Sequence, residues 1–204
     1  MNPVIKKDWY MHALLMQHIN ALVPLTKEEE TWITEAFHQK TLKRRQFLVQ
    51  EGDPCRYLSF ITNGCLRSYF TNDKGQEYIV QFGIEGWWLN DNESFLFNTP
   101  SQFNIEALEA TTLLQIDRPG LDMLYQNVPT LERFFRILYQ RSFIMLQKRV
   151  IATMSQTAEQ RYQEFSARYP EIANRVPQYQ LAAYLGMTAE FLSKIRHGMT
   201  PKKA

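Results

Sequence analysis

Apolar and polar positions follow three different rhythms along these 204 residues. The first is helical: HALLMQHINALVPL, residues 12–25, spaces its apolar side chains in turns but breaks them with His12, Gln17, His18 and Asn20. It reads as a peripheral helix rather than a secretion signal. Thr26 and Glu29 then stand where a capping box needs them, which predicts a helix from there to about Phe37. From Thr41 to Asp117 the rhythm shortens to β-type runs, QFLVQ, YLSFIT, CLRSYFT, EYIVQFG, FNIEAL and TLLQID, punctuated by EGD, TNG, NDKG and NTP. Several short strands at near-regular spacing predict an antiparallel β-roll or barrel.

The third rhythm is helical again. Pro119 opens a short helix, and Pro129 opens one that runs without proline or glycine to about Met154. Its apolar positions cover more of the circumference than one-sided packing requires, so two partners are expected, the β-body and a second copy of this helix. The expected seam is Leu131, Phe134, Leu138 and Met145, extended to Ala152. The same stripe also fits a helix buried wholly within its own subunit. A further helix over Thr157 to Arg168 ends before Pro170.

The last stretch, VPQYQLAAYLGMTAEFLSKIRHGMTPKKA, encodes two short helices. Two helices crossing steeply need a small residue at the contact, a glycine at the turn and apolar residues to lock the angle. Ala182, Gly186 and the set Leu181, Leu185, Met187, Leu192 and Ile195 supply these. Thr188 caps the second helix, leaving Ala189, Glu190, Ser193, Lys194 and His197 on its outer face near the N-terminus. There a lysine can donate to guanine, a glutamate can accept from cytosine, and a serine can serve base or phosphate. Gln178 and Tyr179 on the first helix, with Arg196 and Lys202 beyond the second, are placed for phosphate.

Charge sharpens this picture. Residues 1–140 hold 13 Lys and Arg against 17 Asp and Glu, a net of −4, whereas residues 141–204 hold 10 against 4, a net of +6. Positive charge collected at the helical end suits a polyanion partner, as it would a solvated basic face. Cys55 and Cys65 are too few for a disulfide framework or an iron–sulfur cluster and read as reduced thiols, so a cytoplasmic protein is expected. No apolar run approaches the length of a membrane span. Residues 39–196 contain no histidine, which argues against a metal-dependent barrel enzyme. Histidines 12, 18 and 38 sit in no haem-ligand motif. No metal, no cofactor and no catalytic set is expected.

Two stretches carry a resemblance: GDPCRYLSFITNGCLRSYFTNDKGQEYIVQF and QYQLAAYLGMTAEFLSKIR. Over residues 20–198 the chain resembles the Crp/Fnr family of transcription regulators. The resemblance implies an α+β chain: a cyclic-nucleotide-binding-like antiparallel β-roll with N-terminal helices (1–128), a long dimerisation helix (129–154) and a small all-α helix-turn-helix domain (155–204). It implies double-stranded DNA, a second copy of the chain and RNA polymerase as partners, with Glu190 and Lys194 in the family's base-reading positions. Ala189 stands where many members place an arginine, so a shifted operator is implied. A ligand-sensing dimer with a protein-docking C-terminal module is the alternative.

The pattern breaks twice. Where cyclic-nucleotide binders place a Gly-Glu pair for ribose and an Arg-Ser pair for phosphate, this chain reads EGWWLNDNESFLFNTPSQFNIEALEA, with no arginine between Arg67 and Arg118. A buried phosphate without a cation is costly, which disfavours cyclic AMP. Trp87, Trp88, Phe95, Phe97 and Phe103 either line a pocket for another effector, oriented by Asn90, Asp91 and Ser101, or fill the roll's core. The second break is at the end, where GMTPKKA follows the reader in place of the β wing that the resemblance implies, which would lower affinity and place more weight on Lys202 and Lys203, or on the dimer.

Overall fold

A computed structural model describes residues 3–199 of the chain, with side chains placed for residues 11–198. Lys202 and Lys203, read from the sequence as phosphate contacts, lie outside the described residues.

Two helices, α1 (Pro3–Asn20) and α2 (Lys27–Ala36), precede seven strands: β1 (His38–Leu42), β2 (Phe47–Val49), β3 (Tyr57–Asn63), β4 (Leu66–Thr71), β5 (Glu77–Gly83), β6 (Asn104–Ala107) and β7 (Thr111–Asp117). A short helix, α3 (Asn92–Phe97), interrupts the strands between β5 and β6. The strands form two antiparallel sheets, one ordered β1-β7-β3 and the other β2-β6-β4-β5, the expected roll. Gly64, at φ +106°, makes the β3–β4 turn against Thr111, where an added Cβ would meet the Thr111 Cα at 2.7 Å. Only glycine fits there.

The interior of the roll is apolar and close-packed. Phe60, Ile61, Leu66, Ile105, Leu113 and Leu114 are fully buried, each large side chain contributing about 1.5–3 kcal/mol by leaving water. The capping box holds at α2: Thr26 accepts from the Glu29 amide at 3.2 Å, and Glu29 accepts from the Thr26 amide at 2.7 Å. The first helix departs from expectation. It is a core element, because Met11, Leu15 and Ile19 point into the same cluster as Phe60 and Phe134. The polar residues that interrupt its pattern mostly fall off that face, except His18, which lies between the rings of Phe60 and Phe134 at 5.5 and 5.7 Å. Strand β1, the polar run HQKTL, gave no alternation to read; four of its five residues are exposed and pairing with β7 holds it.

Four helices follow the roll before the last pair: α4 (Arg118–Asn127), α5 (Thr130–Ser155), α6 (Ala158–Arg168) and α7 (Pro170–Arg175). Asp117 and Thr157 cap α4 and α6 through their side chains. The long helix α5 has two regimes. Leu131, Phe134 and Phe135 are buried in the subunit's own core, and Leu138 is partly buried against it. The expected seam is therefore corrected for Leu131 and Phe134: the roll and α1 already cover these side chains and leave nothing for a second copy to touch. Met145 is half-buried and lines a groove. The apolar residues left bare lie one step around the helix: Tyr139, Phe143, Leu146 and Val150, 41–60% exposed, with Ile151 and Met154 beside them.

The chain ends in α8 (Gln178–Tyr184) and α9 (Ala189–Met199). Their core does not stand alone. Leu181, Ala182, Leu185 and Leu192 form one buried cluster with Phe165, Ile172 and Val176, with Tyr69, Ile79 and Phe82 from the second sheet, and with Ile84 just past β5. The helix pair is thus seated on the roll, and the boundary drawn at residue 155 is crossed by a continuous apolar core.

Candidate nucleic-acid interface

Pro177 precedes α8, and its carbonyl accepts from the Gln180 and Leu181 amides at 3.0 and 3.1 Å. The turn closes through Met187, whose amide donates to Ala182 O at 3.0 Å, while Gly186 takes φ +69°, a conformation that favours glycine. Thr188 Oγ1 accepts from the Phe191 amide at 3.2 Å, the expected N-cap. Leu192 and Ile195 are buried against the pair and its neighbours, which fixes what α9 presents outward.

The outward face carries Glu190, Lys194 and His197, all exposed, with Ser193 half-buried among them. His197 Nδ1 lies 2.7 Å from Ser193 O and 3.5 Å from its hydroxyl, so the two side chains share one turn. The helix's own N-terminal amide and the Thr188 hydroxyl hold the Glu190 carboxyl below the usual carboxylate range, so it is a hydrogen-bond acceptor at neutral pH. Gln178 and Tyr179 are exposed at the start of α8, Tyr179 to 61%. Ala189 and Arg196 are half-buried at the edge of the same surface. Phe191, 47% exposed, joins this face and was missed from sequence. The signal was available, since residue 191 falls off the inward face set by Leu192 and Ile195.

The expected effector residues separate. Trp88 is enclosed by the rings of Phe37, Phe60, Phe134 and Phe135 at centroid distances of 5.0–6.2 Å, and Phe95 is buried, so both serve the core. Asp91 caps α3 through the Ser94 amide at 3.1 Å and takes the Ser101 hydroxyl at 2.8 Å; both residues are buried. Ser101 also accepts from the Phe103 amide at 3.1 Å, so the segment expected to orient a ligand is tied to itself. Phe103 is half-buried and does not line the groove described next.

Trp87, Asn90 and an edge of Trp88 do open onto a groove of about 920 Å³ between β5, α5, α6 and α8. Phe135, Tyr139, Phe143 and Leu146 line it from α5, and Tyr139 Oη donates to Asn92 Oδ1 at 3.1 Å. His18 Nε2 and Trp88 Nε1 border the same space, buried and without a protein partner among the described residues. Among the described residues no group of three or more His, Cys, Asp or Glu is gathered to hold a metal, and no helix is long and apolar enough to cross a membrane.

Comparison with known proteins agrees with this layout. Residues 39–128 match the model of the cyclic nucleotide-binding domain. The chain is 27% identical over 174 residues to the transcriptional activator protein Anr of Pseudomonas aeruginosa, covering 76% of this chain and 68% of that protein. It is 25% identical over 196 residues to the transcriptional activator protein FnrA of Stutzerimonas stutzeri, covering 90% of this chain and 75% of that one. Among solved structures, FixK2 from Bradyrhizobium japonicum superposes with a TM-score of 0.69 at 16% identity, over 80% of this chain and 84% of that one. The catabolite activator protein of Thermus thermophilus gives 0.57 at 18% identity, over 89% and 86%. Anr and FnrA are both transcriptional activators.

Proposed function

Because this chain belongs to the Crp/Fnr family of DNA-binding transcription regulators, we propose that it works as a symmetric dimer whose two α9 helices enter successive major grooves. The observation that carries the reading is the outer face of α9: an acceptor, Glu190, and donors, Lys194 and His197, exposed together on a helix whose opposite side is buried. Lys194 and Glu190 read base edges in this account, Phe191 offers an apolar contact to a thymine methyl, and Gln178, Tyr179 and Arg196 meet phosphate.

The second copy docks along α5. Tyr139, Phe143, Leu146 and Val150 are bare and follow steps of four, three and four residues, the spacing of a coiled-coil seam. A helix laid on this stripe also covers the groove beside it, since Tyr139, Phe143 and Leu146 line both. That groove is the effector site we infer: apolar walls, with Trp88 Nε1 buried at its border in want of an acceptor. Such a lining suits an apolar molecule bearing a hydrogen-bond acceptor. Asp91 and Ser101, bonded to each other, leave no cationic seat for a cyclic phosphate.

A titration of duplex DNA followed by fluorescence anisotropy at several salt concentrations tests the reading. Affinity should fall linearly on logarithmic axes, with a slope of about −0.9 per phosphate contacted. Binding that ignores salt, or no binding at the lowest salt, contradicts it.

A further inference from the structure

The edge of the second sheet, the long helix and the first helix of the reading pair meet at one side chain. Strand β5 is an edge strand, paired only with β4. Its register slips between Ser68 and Tyr69, whose partners are Gln81 and Ile79, so Val80 is the extra residue of a bulge. Arg149 of α5 reaches this point: Nη1 donates to Val80 O and Nη2 to Ile79 O at 3.3 Å. The same guanidinium lies 4.2 Å from the centre of the Tyr184 ring at the end of α8. Tyr184 packs in turn on Phe82 of β5 and Phe165 of α6, at 5.2 and 5.3 Å. The next carbonyl, Leu185 O, accepts from Arg161 Nε at 3.1 Å.

A planar cation is the group this junction requires. It bonds two adjacent carbonyls with one edge and stacks an aromatic ring with its face, which an ammonium cannot do at once. Val80, Arg149 and Tyr184 all line the groove, so whatever fills or closes the groove presses on the bulge, the guanidinium and the ring together. With α8 docked, Glu190, Lys194 and His197 stay exposed, so the contact orients the helix pair without covering its outer face.

We propose that Arg149 is a positioning residue that couples the groove and the dimer helix to the DNA-reading pair, holding α8 in the orientation from which α9 meets DNA. The proposal rests on the DNA-binding reading for its functional readout, but its structural part is measurable on the free protein. Amide hydrogen exchange of the full chain, without DNA, is the first arm. Arg149→Ala should speed exchange in α8 and at Gln81 and Phe82 at least tenfold, leaving α1 and α2 unchanged. Arg149→Lys keeps the charge and should recover little of the protection. Tyr184→Leu, which approaches the contact from the other side, should give the same pattern, and the double variant should be no worse than either single one.

The second arm is duplex DNA binding at fixed salt. Arg149→Ala should weaken it about tenfold with base preference intact, because a loosened pair must be ordered on binding. Unchanged α8 exchange, independent effects of the two substitutions, or DNA affinity equal to or tighter than wild type would each overturn the proposal. If Arg149→Ala does not fold, Arg149→Lys and Tyr184→Leu carry both arms. Failure of every variant and of the wild type to bind DNA would sink the functional reading alone, since the exchange arm stands without it.

Discussion

His18 shows how a single side chain can carry a pH dependence through the core. Its ring lies between Phe60 and Phe134, and burial first, then the charge of Arg141, lowers its pKa from the ordinary value of 6.5. The folded state thus holds His18 neutral. The unfolded chain takes up the proton first as pH falls, so the stabilising effect of the neutral ring is fully present above about pH 6.5 and is lost progressively below it, toward the depressed folded value. Melting temperature should decline between pH 7.5 and 5.5. His18→Leu, similar in size and uncharged, should flatten that decline; the same slope in the variant would place the titration elsewhere. From sequence this histidine read as a polar interruption of a peripheral helix. The burial that gives it a role depends on α5 crossing from residues far along the chain, which local pattern does not reveal.

At the scale of elements, α5 separates what pattern can tell from what it cannot. Its limits, its freedom from proline and glycine and its excess of apolar positions were legible, because these are properties of the segment itself. The facing of its stripes was not. Leu131 and Phe134 share the character of Phe143 and Val150, and only the seating of the roll and α1 decides which pair is covered. The strands were read with similar success where apolar runs stand between turn residues, and β1, α3 and α7 were not: β1 is polar, and α3 and α7 at six residues each are too short for a helical period. The cap and turn of the helix pair were legible in full, since Thr188, Gly186 and Ala182 act locally. Arg149 and Arg175 were invisible, as their hydrogen-bond partners lie 66 to 90 residues away. The stripe makes its own prediction. Val150→Glu sets like charges against each other across a two-fold seam and should yield a monomeric mass at micromolar concentration. Residue 150 is half exposed, so the subunit's own stability should stay within about 0.5 kcal/mol of wild type. A dimer that survives this substitution would place the seam on another face.

Across the whole molecule, the roll and the helix pair are joined rather than tethered. Besides the shared apolar cluster, Arg175 of α7 pairs with Glu85 at 2.7 Å and also with Glu109, and Glu85 accepts from the Gly64 amide at 2.7 Å. Trp87 meets Tyr169 edge to face at 5.5 Å. These contacts supply the packed connection that coupling would need if the groove is the effector site we propose. The net charges of −4 over residues 1–140 and +6 over residues 141–204 give the chain the polarity that the proposed polyanion partner would require.

DNA reading by the exposed side chains on α9 of a symmetric dimer is tested by selecting bound duplexes from a random pool with the wild type and with Lys194→Ala. The expected product is a palindromic motif whose half-sites lie about 10 base pairs apart, centre to centre. Lys194→Ala should lose preference at one position in each half-site, at a cost of about 1–3 kcal/mol for the best sequence. An unsymmetrical motif, no enriched motif, or one that Lys194→Ala leaves unchanged would contradict it.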